Sequence, residues 1–397
     1  MNKSYNQRIK MNDIFNLYKP YNDQDCILIK KYKKKIYSGQ YNDKKYKFIC
    51  KGGSGYIFNL IIQKNNYKLK TSLKFVESNH NEIKYKNFLN SKFKNWNELI
   101  ILRHCTKYVI DGLTQNLLIN YSFKVCPKIK YILLYNELAD CDFEKWICEE
   151  RNELEWKSFL FQFWCTLYLL QKKLKLVHND LRLPNILFIK IKSGGYWKYE
   201  IDDDEYFVPN MGYVFIIWDF GSAQSLNFSN ARNKEYVKNK LEANIDLMYI
   251  HDLYKRLRVL LLENLFDIDQ LEKFFITTEE KNIYKIEYNK NKQRFTDDRF
   301  KKKFKLALIY YLIEKNRFDD LLKSYRQVKS LVKMPPQSID LLLKELNDKH
   351  NYSYCEREAF YKQDYDKLRK LTSPKVLIDT YLSEFKIKKP YINKFKF

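Results

Sequence analysis

His178-Asn179-Asp180-Leu181-Arg182-Leu183-Pro184-Asn185, followed downstream by Trp218-Asp219-Phe220-Gly221, is the stretch on which the reading of this chain turns. It sets an aspartate, an asparagine and a second aspartate in a fixed order. A carboxylate at Asp180 can accept a proton from an attacking hydroxyl. An amide oxygen at Asn185 and a carboxylate at Asp219 are hard oxygen donors of the kind magnesium takes. The apolar run 214–218 reads as a strand that ends on Asp219. An isolated Asp-Phe-Gly carries no information, but one preceded by a strand and by His-x-Asp-x-x-x-x-Asn does.

Working outward, residues 47–77 alternate like strands: Phe48 and Ile49, a glycine cluster, Tyr56 to Ile62, a turn at Lys64-Asn65-Asn66, then Ser72-Leu73-Lys74-Phe75-Val76. The chain has only nine glycines, and three fall at 52, 53 and 55, which assigns them a local purpose. Without Cβ atoms, backbone N–H groups there can approach an anion closely. Asn79 and Asn81 are candidate caps for a helix carrying Glu82, Ile83, Phe88 and Leu89. Residues 131–138 read as a buried strand leading to a short link at Ala139-Asp140-Cys141. Residues 156–174 are apolar nearly all round, as in a core helix, with Lys172, Lys173 and Lys175 at its negative end. Gly194-Gly195 and the acidic run from Asp202 to Glu205, between hydrophobic stretches, predict a β-hairpin insertion near 190–213. Residues 240–397 read as amphipathic helices with a basic tail, and 1–45 as a polar, basic extension without clear periodicity.

The 397 residues carry a formal net charge of +25, spread along the chain rather than clustered, which fits a diffusely basic solvated surface. Nucleic-acid contact through that surface stays open, but no motif indicates it. Eight cysteines occur without a Cys-x-x-Cys pair or a Cys/His cluster. That spacing argues against a structural metal site and a disulfide framework, and for a reducing compartment. No signal-peptide core is visible at the N-terminus. The longest apolar run, 159–170, is interrupted by Gln162 and too short for a bilayer, so no membrane partner is expected.

Together these motifs resemble the protein kinase family over roughly residues 48–261. The hairpin insertion and Pro209-Asn210-Met211-Gly212-Tyr213 look like kinases of nucleocytoplasmic large DNA viruses. The resemblance implies an α+β, two-lobed kinase-like fold, with a small β-rich N-lobe at 46–137 and a mostly helical C-lobe at 138–397. Cys50, Gly52, Gly53, Ser54, Gly55 and Ile57 are similar to the glycine-rich loop over ATP, although Cys50 replaces its first glycine. Lys74 would bind the α- and β-phosphates, paired with Glu82, or with Glu77 as the fallback. Asn136-Glu137-Leu138-Ala139 resembles the adenine-binding hinge, which assigns Glu137 and Ala139 to the nucleotide, and Asp142 stands where an acid meets the ribose. Asp180 would deprotonate the acceptor, Arg182 would stabilise the transferring phosphoryl group, and Asn185 and Asp219 would hold Mg2+. Asn179 replaces an arginine that pairs with a phosphorylated loop, so activity without loop phosphorylation is expected. Asp246 or Asp252 would brace the catalytic segment.

These implications make the chain an ATP- and Mg-dependent kinase acting on Ser/Thr hydroxyls of protein substrates. Arg182 in place of lysine leaves tyrosine open. The viral resemblance implies the host cytoplasm or a viral factory, or packaging in the virion. The absence of Ala-Pro-Glu keeps two alternatives in view. One is a small-molecule kinase of the choline or aminoglycoside type, and the other a pseudokinase that serves as a scaffold.

Overall fold

The computed structural model describes residues 5–18, 25–27, 38–41, 44–52, 55–64, 67–84, 89–228, 234–265, 267–273, 275, 277–314, 335–350 and 372–386. The chain is α+β and divides into two compact units. One comprises Met1–Phe143, Lys157–Tyr249 and Tyr352–Phe397, and the other Glu144–Trp156 and Ile250–Asn351.

The first unit is built on a six-stranded antiparallel sheet in the order β1-β2-β3-β4-β6-β5. Its strands are β1 (Ser38–Tyr41), β2 (Lys44–Gly52), β3 (Gly55–Lys64), β4 (Tyr67–Glu77), β5 (Asn120–Cys126) and β6 (Tyr131–Glu137). Phe58, Leu60 and Ile62 of β3 and Leu69, Leu73 and Phe75 of β4 are buried at alternate positions, which fixes the register. All seven residues of β6 are buried, as its place between β4 and β5 requires. Helix α1 (Tyr5–Tyr18) covers part of this sheet, burying Arg8, Asn12 and Phe15. These lie at i, i+4 and i+7, one helical face. Two of the three are polar, so the stripe did not register as amphipathic in the sequence, and a segment read as aperiodic folds as a helix. Phe15 stacks on Tyr121 at 5.1 Å.

Cys26 and Cys126 form a disulfide across a sequence separation of 100. This corrects the expectation of a chain without disulfide links. The partners meet only through the tertiary fold, so their spacing along the chain carried no signal. Cys50, Cys105, Cys141, Cys148 and Cys165 are not in disulfides.

Helix α2 (Lys94–Ile110) precedes β5, and helix α3 (Glu153–Leu174) lies in the chain between the first and second strands of a three-stranded sheet in the order β12-β9-β7. Its members are β7 (Cys141–Asp142), β9 (Ile186–Lys190) and β12 (Tyr213–Ile217). Pairing of Ile186 with Ile217 sets the start of β9 beside the end of β12. Asn185 and Trp218 therefore become neighbours although far apart in sequence. Short strands β8 (Leu176–Val177) and β13 (Gln224–Ser225) pair nearby. Between β9 and β12, β10 (Tyr196–Ile201) and β11 (Asp204–Pro209) form a hairpin turned at Asp202-Asp203, with Asp202 in the left-handed region (φ +57°). Tyr206 anchors it, packing on Phe161 of α3 and donating its hydroxyl to Asp379 at 2.6 Å. Burial, with Asp379 next in weight, pushes the Tyr206 phenol up to about 12.

Helices α4 (Lys234–Glu242) and α5 (Asp246–Leu265) follow β13. The second unit is helical, with α6 (Thr278–Asn291), α7 (Asp298–Glu314) and α8 (Gln337–His350) following α5. Its core gathers Val259, Leu262, Leu271, Phe275, Ile309 and Leu312. Arg258 pairs with Asp340 at 3.0 Å. Helix α9 (Pro374–Tyr381) belongs to the first unit. The basic tail beyond residue 386 lies outside the described residues. Among the described residues, no helix is long and apolar enough to cross a membrane.

Candidate active site

Lys74 lies on β4 opposite Ile57 of β3 and Leu134 of β6, on the face away from Leu73 and Phe75. It is only 3% exposed. Its ammonium donates to Glu98 at 2.6 Å and Asp219 at 2.7 Å. Burial alone would lower the Lys74 pKa, but the two carboxylates outweigh it and the net shift is upward. Burial likewise pushes Asp219 up, and Lys74 more than reverses this, aided by His178 and Arg182, so Asp219 lies below its ordinary value. Both groups are therefore charged at neutral pH.

The carboxylate beside Lys74 is Glu98 of α2, not Glu82 or Glu77. Glu82 is engaged elsewhere: it accepts from Asn79 N at 3.0 Å and Asn95 Nδ2 at 3.2 Å, while Asn79 Oδ1 accepts from Glu82 N. Asn79 does cap, but it caps a turn at residues 80–83, and among the described residues the first helix after β4 is the one that begins at Lys94. Phe88 lies outside the described residues, and Leu89 sits in a turn with φ +55°. Glu98 sits on an almost completely buried helix segment, from Asn95 to Leu99. An acid among apolar neighbours one helix after a strand lysine was the signal available for it.

Asp180 is half exposed, with Arg182 Nε at 3.5 Å from its Oδ1. Asn185 is buried and donates Nδ2 to Asp180 O at 2.6 Å and to Asp180 Oδ2 at 3.2 Å. Trp218 N donates to Asn185 O at 3.2 Å, which ties the two motif segments together. His178 Nε2 meets Trp218 O at 2.9 Å while Asp180 N points at Nδ1 at 3.4 Å. Both ring nitrogens are thus engaged with the backbone, so His178 holds the loop. Of the two bracing candidates, Asp246 takes the place: its carboxylate accepts from His178 N at 2.9 Å and Asn179 N at 3.2 Å. Burial drives its pKa up against those contacts. The side chain of Asp252 lies outside the described residues. Asn179, at φ +63°, adopts a left-handed conformation that asparagine tolerates. It donates to Ser222 O and accepts from Lys240 Nζ.

Gly52 ends β2 opposite Gly55 at the start of β3, and Cys50 stands opposite Ile57; Gly53 and Ser54 lie outside the described residues. A Cβ on Gly55 would stand 1.8 Å from Phe75 O, so only glycine fits there. Burial and then the Asp142 carboxylate push the Cys50 thiol up, so the end of β2 and Asp142 share one electrostatic neighbourhood. Asp142 is held on β7 opposite Leu187, and Ala139 packs against the cluster of Leu118 and Ile189. Glu137, expected at the nucleotide, makes its contacts within the fold. Its amide donates to Ile119 O, its carbonyl accepts from Ser72 Oγ, and its carboxylate is taken by Arg8.

Lys74 uses Oδ1 of Asp219, and Asn185 spends its amide nitrogen on Asp180. Among the described residues, Asp219 Oδ2 and Asn185 Oδ1 make no hydrogen bond. One carboxylate and one amide oxygen suit a hard cation that keeps water and phosphate oxygens in its other places. Chemically, the site presents a fixed ammonium, an accessible carboxylate base and two uncommitted oxygens in one unit.

No protein-family model matches the chain. A stretch of 66 residues is 36% identical to "Putative serine/threonine-protein kinase 019R" of Frog virus 3 (isolate Goorha), covering 16% of this chain and 8% of that protein. A match of the same length and identity relates it to "Probable serine/threonine-protein kinase 380R" of Invertebrate iridescent virus 6, covering 16% of this chain and 12% of that protein. The matches thus span about a tenth of the length of these curated relatives, and they connect a part of the chain to viral proteins named as serine/threonine kinases.

Proposed function

We propose that the chain is an ATP- and Mg2+-dependent protein kinase with a two-lobed kinase fold, transferring the γ-phosphoryl group to Ser/Thr hydroxyls of protein substrates. The observation that carries this reading is Lys74 bridging Glu98 and Asp219 while Asp219 stands beside the Asp180–Asn185 segment. Lys74 positions phosphate oxygens, and Asp180 takes the proton from the acceptor hydroxyl. Arg182, close to Asp180 and exposed, meets the charge that develops on the transferred group. Asn185 and Asp219 would hold Mg2+, which neutralises phosphate charge when bound. The named activities of the two viral relatives support the same reading.

The test is transfer from γ-labelled ATP to basic, acidic and hydroxyl-rich proteins, with identification of the labelled amino acid and Asp180→Asn as control. Phosphoserine or phosphothreonine that disappears in the variant is the expected result. Undiminished transfer by Asp180→Asn would overturn the assignment. A small hydroxylated acceptor is the second reading, favoured by the lack of Ala-Pro-Glu after Asp219. Label on small molecules alone would select it.

A further inference from the structure

Arg8 is the most completely enclosed cation described in the first unit, with a side chain 0% exposed against a Glu137 partner 1% exposed. Nε and one terminal nitrogen reach both oxygens of Glu137 at 2.8 Å, a two-pronged pairing that only guanidinium makes. Nη1 donates to Gln115 O, and Nη2 also donates to Leu117 O at 2.8 Å. Neither end of this contact touches the reacting groups. Its position, however, is not neutral. Glu137 is the last residue of β6, immediately before the Leu138-Ala139 link, and Asp140 on the far side of the link is tied down by its amide to Phe188 O at 3.0 Å. Segment 115–117 in turn rides on β12: Asn116 O accepts from Ile217 N, and Asn116 Nδ2 donates to Phe215 O. Two residues beyond Ile217 the chain reaches Asp219. One side chain from the N-terminal helix thus fastens both the stretch that enters the link and the strand that delivers the metal-binding carboxylate.

We infer that Arg8, acting through Glu137 and the 115–117 carbonyls, is a positioning residue for nucleotide binding, so that the N-terminal helix is a working part of the ATP site. The inference rests on the reading of that site as one that binds Mg-ATP. Its physical content is pre-organisation: a link fixed at both ends loses little freedom when the nucleotide arrives, and a link released at one end loses more. Lysine at position 8 keeps the charge but cannot span both oxygens and both carbonyls.

The experiment compares Arg8→Lys and Glu137→Gln with the unaltered 397-residue chain in steady-state transfer from Mg-ATP, with Tyr206→Phe as a control that weakens the distant hairpin. The expected result is a KM for ATP raised about 10-fold in both variants, with kcat and the acceptor KM within about 2-fold. The control, at a comparable loss of melting temperature, keeps its KM for ATP. An unchanged KM for ATP in well-folded Arg8→Lys and Glu137→Gln overturns the inference and leaves the pair purely structural. If those variants do not fold, hydrogen exchange on the unaltered chain decides. Slower exchange in 5–18 on adding Mg-ATP supports the inference, and unchanged exchange there overturns it. An unaltered chain that binds no Mg-ATP overturns the underlying reading as well, and is distinguished from the other outcomes by equilibrium binding alone.

Discussion

Lys74 divides its charge between two carboxylates from different segments, whereas Arg8 gives its whole fork to one carboxylate and two carbonyls. Both cations are withdrawn from water. The difference lies in what is left over. At Lys74 one partner, Asp219, keeps an uncommitted oxygen and a side chain 15% exposed, so the cluster can exchange an internal contact for a ligand. At Arg8 both oxygens of the partner carboxylate are taken and neither residue is open to water, so the cluster can only be kept or broken. A point charge on a flexible stem suits the first task and a planar fork the second. Buried charge alone, therefore, does not mark a functional site; incomplete satisfaction beside solvent does.

Removing each cation should break the comparison in a different observable. Lys74→Met should lower phosphoryl transfer by roughly 10^3-fold, as loss of a preorganised charge at the reacting group does. Initial-rate measurements at saturating Mg-ATP check this. Arg8→Ala should instead lower unfolding free energy by about 3–5 kcal/mol, since it strands a buried carboxylate; urea titration reads this, and an unchanged midpoint would contradict the closed-cluster description. Reduction of Cys26–Cys126, which fastens the same N-terminal segment to β5, should cost about 2–4 kcal/mol, seen as a lower melting temperature in reductant.

Acid sharpens the contrast further. Asp219 is held below its ordinary 3.8, so its contribution is present above that value and is lost as pH falls through the lowered one. The stability gap between the unaltered chain and Asp219→Asn should therefore close as pH drops below 3.8, as followed by acid titration of the two proteins. The smallest effect belongs to a pair with neither property. Lys157 and Glu384 meet at 2.9 Å on the surface, and Glu384→Gln should change stability by less than about 0.5 kcal/mol in the same titration.

The parts of the site legible in the sequence were those encoded within a few residues. Asp180 and Asn185 belong to one short segment whose internal hydrogen bonds are local, and Lys74 lies in a strand with clear alternation. Contacts between distant segments were harder. Glu98 stands 24 residues beyond Lys74 on a helix buried nearly all round, where no stripe singles it out. Asn79-x-x-Glu82 has the spacing of a helix cap, and capping a turn is what it does. Arg8 and Glu137 are 129 residues apart, and polar residues on the buried face of α1 concealed that face. The β-rich and helical halves of the chain were readable from period alone. The covalent and ionic ties that bind the N-terminus to the sheet were not, because each partner looks like an ordinary surface residue until the fold brings it inside.

Trp218 gives the site an optical property of its own. Its ring centre lies 5.6 Å from the Lys74 ammonium, and its Nε1 donates to Pro184 O. Trp96, Trp146, Trp156 and Trp164 are sealed in cores, and Trp197 packs with the cluster beside β9. Indole emission responds to nearby charge. A ligand that draws Lys74 away from the ring should therefore announce itself as a spectral shift in unlabelled protein, one that vanishes in Trp218→Phe. The residue before the Asp-Phe-Gly segment doubles as a native fluorophore reporting on the state of the lysine.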